Sequence, residues 1–165
     1  MLQNKLICFR KIGFAVWLSL FFLSAPSGAD NPVRNLCLYD GYSNRELVRY
    51  ALDESHKFSL SFIHSATLTP VMDIYEVRSS GIHQIAEIFE THSAGLPSFA
   101  GDVGTSKWRQ QGGKFILEMD RQFTRIQVRV QREYLNKLHF GEFVITLANL
   151  KAKVLGIAMC ENEGK

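Results

Sequence analysis

Between Phe58 and Ile63 the chain reads Phe-Ser-Leu-Ser-Phe-Ile, so bulky apolar groups at 58, 60 and 62 alternate with serines at 59 and 61. Successive side chains on a β-strand point to opposite faces, and this rhythm therefore demands a strand with one greasy face and one polar face. The same period returns from Arg125 to Gln131, where Ile126, Val128 and Val130 interleave with Arg125, Gln127, Arg129 and Gln131. Val71 to Val77 is rich in β-branched and aromatic residues, and Thr67 to Pro70 supplies a turn, so residues 58–77 are expected to form an antiparallel hairpin. Further strands are predicted over Asn35–Tyr39, Glu46–Leu52, Gln84–Glu90, Lys114–Met119, Phe143–Leu147 and Val154–Cys160. Glu46–Leu52 also suits two turns of helix. About nine short strands without a long helical pattern predict an all-β, single-domain antiparallel sandwich or barrel.

From Thr91 to Gly113 the alternation lapses into a stretch holding Gly95, Pro97, Gly101, Gly104, Gly112 and Gly113. Long loops of this kind in compact domains are commonly functional, and this is where a binding site is sought first.

The N-terminus has a different character. Lys5, Arg10 and Lys11 precede an almost wholly apolar run, Ile12 to Leu23, and then the small, turn-prone residues Ser24 to Ala29. This is the layout of a secretory signal peptide, with cleavage expected before Asp30 and a periplasmic destination for residues 30–165. The competing reading is a signal anchor, but the apolar run falls short of the roughly 20 residues that span a bilayer. Contact with the membrane is accordingly expected only through the segment before cleavage. Cys8 precedes the apolar run rather than following it, which argues against a lipoprotein. Losing Lys5, Arg10 and Lys11 takes the formal charge from +3 to zero. The remaining basic residues, Arg125, Arg129 and Arg132, make too small a cluster for the counterion release that drives nucleic-acid binding, so nucleic acid is excluded as a partner. Residues 30–165 are near the common size of one domain.

Two cysteines lie beyond the signal, Cys37 and Cys160. An oxidising compartment lets them pair, joining the first strand to the last; two separate buried thiols are the alternative.

The residues able to carry chemistry are His64 and Ser65 at the end of one strand, Asp73 and Glu76 on the next, and His92 and Ser93 at the start of the glycine-rich stretch. Pairing in the hairpin brings His64 and Asp73 to a shared face only in one register, since a one-residue slip separates them. Three readings compete. His64, Asp73 and His92 are suitable ligand types for a divalent metal, but no tight ligand spacing supports that, and no metal or cofactor is expected. Ser65 as a nucleophile suffers because adjacent strand residues His64 and Ser65 face opposite ways, and no Gly-x-Ser-x-Gly elbow is present; no catalytic residue is assigned. The third reading gives His64 a structural role, hydrogen-bonded to a loop carbonyl or to Asp73 and orienting the 65–70 turn. Gly95-Leu96-Pro97 either presents backbone amides to an anion or simply bends the chain. Phe99 and Trp108 are expected to cover the core beneath the long loop.

Taken as a set, Phe62-Ile-His64-Ser65, then Thr69-Pro70-Val71-x-Asp73-x-Tyr75-x-Val77, then Phe89 and Ser93-Ala94-Gly95-Leu96-Pro97, resembles the family named Domain of Unknown Function 1850. Two positions depart from its pattern: Asp73 stands where the family usually has Glu, and Ser93 where the loop usually has its first Gly. The resemblance implies a short, exported, β-rich protein whose genes neighbour those of TAXI-type tripartite ATP-independent periplasmic (TRAP) transporters. By that similarity the chain looks like a non-enzymatic accessory or binding module for a TAXI-type receptor or TRAP permease, with a small organic anion as ligand. His64, Ser65, Asp73, His92, Ser93, Gly95, Leu96 and Pro97 are the candidate contacts. A small exported hydrolase or metal-binding enzyme using the His64, Ser65, Asp73 and His92 region is the alternative.

Overall fold

The computed structural model describes residues 34–91 and 105–160, all within one compact unit. The expected signal segment, and with it the cleavage site before Asp30, lies outside the described residues, as do His92, Ser93, Gly95, Leu96, Pro97 and Phe99. The described residues form eleven strands: β1 (Asn35–Asp40), β2 (Glu46–Ala51), β3 (Lys57–Ile63), β4 (Pro70–Arg78), β5 (Gly81–Phe89), β6 (Thr105–Gln111), β7 (Lys114–Phe123), β8 (Arg125–Arg129), β9 (Lys137–Phe140), β10 (Phe143–Thr146) and β11 (Val154–Met159). They make two antiparallel sheets, one ordered β2-β1-β11-β8 and the other β10-β9-β3-β4-β5-β7-β6. The fold is thus an all-β sandwich, and Glu46–Ala51 is strand rather than helix.

Alternation explains the layering. Leu36 and Leu38 from β1, Leu155 and Ile157 from β11, and Ile126 from β8 pack on Phe58, Leu60, Tyr75, Val77, Ile82, Leu138 and Phe140 from the larger sheet. Phe58 stacks on Tyr75 with ring centroids 5.0 Å apart. A second apolar cluster, Val71, Phe89, Leu117 and Met119, lies toward the other end of the larger sheet, with Phe62, Trp108 and Phe115 against it. Trp108 meets Phe89 edge-on at 6.1 Å, and so belongs to a strand that packs on this cluster rather than to a loop.

Among the described residues the sandwich holds two strands beyond the nine segments expected. The additions are β6 and β9, and each lacked the apolar rhythm for a physical reason. β6 (Thr-Ser-Lys-Trp-Arg-Gln-Gln) is an edge strand, so Trp108 is its one large apolar group. β9 is only four residues long, shorter than the window in which alternation is legible. The predicted loop to Gly113 is correspondingly shortened. Gly112 and Gly113, at φ of 59° and 75°, form the two-residue turn between β6 and β7, a hairpin geometry that needs positive φ at both positions.

The predicted hairpin is β3–β4, paired from Lys57↔Glu76 to Ile63↔Pro70. β1 and β11 pair with Leu36 opposite Met159, and Cys37 is disulfide-bonded to Cys160, with Cα atoms 5.0 Å apart across 123 positions of sequence.

Candidate ligand-binding cleft

The core-facing side of the larger sheet is not uniformly apolar. Cross-strand register aligns Leu60, Asp73, Glu87 and Leu117 in one row and Phe58, Tyr75, Gln84 and Arg121 in the next. Asp73, Tyr75, Gln84, Glu87 and Arg121 therefore make a polar island between the two apolar clusters. Residues 84 and 87 are three apart and would face opposite ways on a regular strand. They share a face because Ile85 is an extra residue: Tyr75 pairs with Gln84 and Ile74 with Ala86, leaving Ile85 unmatched. Such a bulge re-aims every side chain beyond it.

The island is internally bonded. Gln84 Nε2 donates to Asp73 Oδ1 at 3.1 Å, the Tyr75 hydroxyl donates to Asp73 Oδ2 at 3.3 Å, and Arg121 Nη1 donates to Gln84 Oε1 at 3.4 Å. The Arg121 guanidinium also lies 5.4 Å from the centroid of the Phe123 ring, within cation–π range. Glu87 is buried at 6% exposure.

Burial governs the protonation of the two acids, because removing a carboxylate from water favours its neutral form. Loss of solvent pushes Asp73 up to about 6, against the opposing pull of the Tyr75 and Gln84 hydrogen bonds and the Arg121 charge. Burial, then the neighbouring Asp73 charge, pushes Glu87 up to about 7, with Arg121 again opposing. The Tyr75 hydroxyl is raised for the same two reasons and stays protonated. Near neutral pH the island thus offers a guanidinium, an amide and an exchangeable proton on Glu87, which a proton on Asp73 joins below about pH 6.

Over this floor opens a cleft of about 770 Å³. Its walls include Phe62, Ile126 and Val128, and its polar lining adds His64, Ser65, Arg129 and Lys137. The candidates His64, Ser65 and Asp73 all border this one cavity. They are not in mutual contact, however: Asp73 pairs with Leu60, and His64 N–H bonds to Thr69 O at 2.9 Å. Asp73 and His64 share a face but stand four residues apart along the strand, roughly 13 Å. The His64 ring instead orients the 65–70 turn, its Nδ1 accepting the Ala66 and Thr67 amides at 3.3 and 3.4 Å. The turn-orienting role is the one the bonds show, with backbone amides in place of the expected carbonyl or Asp73. With Nδ1 engaged as acceptor, the ring proton of neutral His64 sits on Nε2. Ser65 is exposed in the turn. Glu76 pairs instead with Arg78, at 2.6 Å, away from the cleft. Among the described residues no group of three or more His, Cys, Asp or Glu side chains is placed to hold a metal ion.

Sequence reasoning missed Gln84, Glu87 and Arg121. One signal was present, since Glu87 is the lone acid in the apolar run Ile-Ala-Glu-Ile-Phe. Its shared face with Gln84 was hidden, because a bulge leaves no mark in the residue pattern.

A family model described as Domain of unknown function (DUF1850) matches residues 58–147. The matched span contains the whole polar floor of the cleft. No curated protein and no solved structure matches the chain.

Proposed function

From a chain that belongs to the DUF1850 family, carrying a roomy cleft with a polar floor, we propose an exported binding module that takes a small organic anion between its sheets and serves a TAXI-type TRAP transport system as an accessory. The observation that carries the binding reading is the composition of the cleft. Arg121 stands on the floor, Arg129 and Lys137 line the walls, and the His64 ring borders the same space. Small-ligand sites characteristically combine apolar walls with a few convergent polar groups, and Phe62, Ile126 and Val128 supply the walls here. A carboxylate is a suitable partner for the Arg121 fork. Asp73 and Glu87 would oppose an anion when ionised and donate a hydrogen bond to it when protonated, so their raised affinity for protons suits them to the neutral role.

Calorimetric titration of the mature protein with a panel of mono- and dicarboxylates tests this reading. Binding is expected, tighter at pH 5.5 than at pH 8 because the two acids are neutral at the lower value, and weakened roughly tenfold or more in Arg121→Gln, in keeping with about 1.5–3 kcal/mol for a charge-assisted bond. Absence of binding at both pH values would overturn it. Export and the transport association rest on the N-terminal pattern and the family resemblance. Deletion of the gene is expected to impair uptake through the neighbouring transporter; unchanged uptake, with no receptor or permease captured by the tagged protein, counts against the accessory role.

A further inference from the structure

On the opposite face of the larger sheet, remote from the cleft, a second group of side chains is bonded in series. Ser80 occupies the two-residue turn between β4 and β5, and His83 follows on β5, buried at 8% exposure. Ser80 Oγ lies 2.8 Å from His83 Nε2, and His83 Nδ1 lies 2.6 Å from Asp120 Oδ1 on β7. The turn that carries Ser80 is fixed from two sides. Gln122 Nε2 donates to the Ser80 carbonyl, and Gly81, at φ +133°, brings its backbone so close to Phe123 that an added Cβ would stand 2.9 Å from the carbonyl oxygen.

The protons in this series are determined by Asp120. The hydrogen bond from His83, reinforced by the charge of Arg78, holds Asp120 below the usual carboxylate range, and Arg78 Nη1 reaches its two oxygens at 3.2 and 3.3 Å. An ionised carboxylate only accepts, so His83 Nδ1 must be the donor. In the neutral ring the Nε2 lone pair is then free to accept the Ser80 hydroxyl proton. Arg78 Nη1, although 3.2 Å from Nδ1, has no lone pair to meet there and is bonded to Asp120 instead. This is the tautomer that makes an imidazole a general base toward a serine.

We propose that Ser80 is an activated nucleophile, with His83 as its general base and Asp120 as the positioning residue, and that it accepts acyl groups from small esters. As Ser80 Oγ bonds to the ester carbonyl carbon, its proton passes to His83 Nε2. The bond from that carbon to the alcohol oxygen then breaks, and the alcohol departs with the proton. Water, deprotonated by the same Nε2, then bonds to the acyl carbon, the bond from that carbon to Ser80 Oγ breaks, and Nε2 returns the proton to Oγ as the acid leaves. The serine is exposed on a turn, so the class of substrate is an unhindered, activated ester that reacts at an open surface.

The test is labelling of the mature protein with a fluorophosphonate probe, located by peptide mass spectrometry, beside hydrolysis of p-nitrophenyl acetate. Labelling is expected at Ser80 and at neither Ser79 nor Ser65, and ester turnover is expected to be abolished in Ser80→Ala. Asp120→Asn, at an exposed position, is expected to keep its circular dichroism signal and to lower kcat roughly 100-fold with KM unchanged, because His83 is no longer held in the tautomer that accepts the serine proton. No label on Ser80, or turnover equal in wild type and Ser80→Ala, would overturn the proposal; so would a fall in Asp120→Asn confined to KM. Because Ser80 and the cleft lie on opposite faces, anion binding and Ser80 labelling succeed or fail separately.

Discussion

Glu87 shows how a single buried acid sets a pH profile. Its carboxyl and that of Asp73 hold protons up to about 7 and about 6 in the folded state, against 4.5 and 3.8 for the free groups. The folded protein therefore binds more protons than the unfolded chain between roughly pH 4 and 7, and stability falls as pH rises through that window. Their contribution is complete below the unfolded values and lost above the folded ones. Replacement by an isosteric amide removes the cost of ionising a buried group. Glu87→Gln is expected to be near neutral at pH 5 and to stabilise the protein by about 2 kcal/mol at pH 8, measured by urea denaturation at both values. A variant that loses stability equally at both would mean that Glu87 is held by an ion pair instead. At the acid end the opposite sign applies to Asp40 and Asp53, which local hydrogen bonds from Ser43 and Ser55 hold below the usual carboxylate range; their contribution disappears as pH falls through those depressed values.

β5 is the element on which the cleft depends, and its bulge is the decisive feature. With Ile85 in place, Ile82 and Gln84 on one side of the bulge share the core face with Glu87 and Phe89 on the other. Deleting Ile85 brings Gln84 and Glu87 two apart, so that strict alternation without the bulge keeps both pairs on the core face. Ile82 and Phe89, at 0% and 1% exposure, therefore stay buried, and deletion is expected to cost about 1–3 kcal/mol with cooperative unfolding retained. Ile85→Ala, which keeps the extra residue, is expected to lose only about 1 kcal/mol from this half-buried position. A deletion that costs upwards of about 4 kcal/mol, or that abolishes cooperative unfolding, would show that the bulge is needed for the pairing itself and not only for the facing of the side chains. The hairpin β3–β4 is simpler. Its faces were legible directly from Phe58, Leu60 and Phe62, because a strand with one buried side writes its geometry into every second residue.

For the molecule as a whole, the Cys37–Cys160 bond ties β1 to the residue that follows β11 and closes nearly the whole described chain into a loop. In the chain-entropy account a loop of this length stabilises by about 4–5 kcal/mol, so the double variant Cys37→Ser, Cys160→Ser is expected to lose about 4 kcal/mol in chemical denaturation while retaining its sheet signal by circular dichroism. A loss below about 1 kcal/mol would mean that the pairing of β1 with β11 constrains the ends without it. Sequence by itself determined the all-β class, the β3–β4 hairpin and the apolar inner faces, because each follows from residues two apart on one strand. It also placed His64, Ser65 and Asp73 in one region, though not their contacts. The tertiary structure decided everything that depends on neighbours distant along the chain. The edge position of β6 hid that strand, and the bulge at Ile85 brought Gln84 and Glu87 to one face. The register that sets Asp73 against Glu87 and Gln84 against Arg121 built the polar floor. Period two specifies which way a side chain points, but only pairing between strands specifies what it meets.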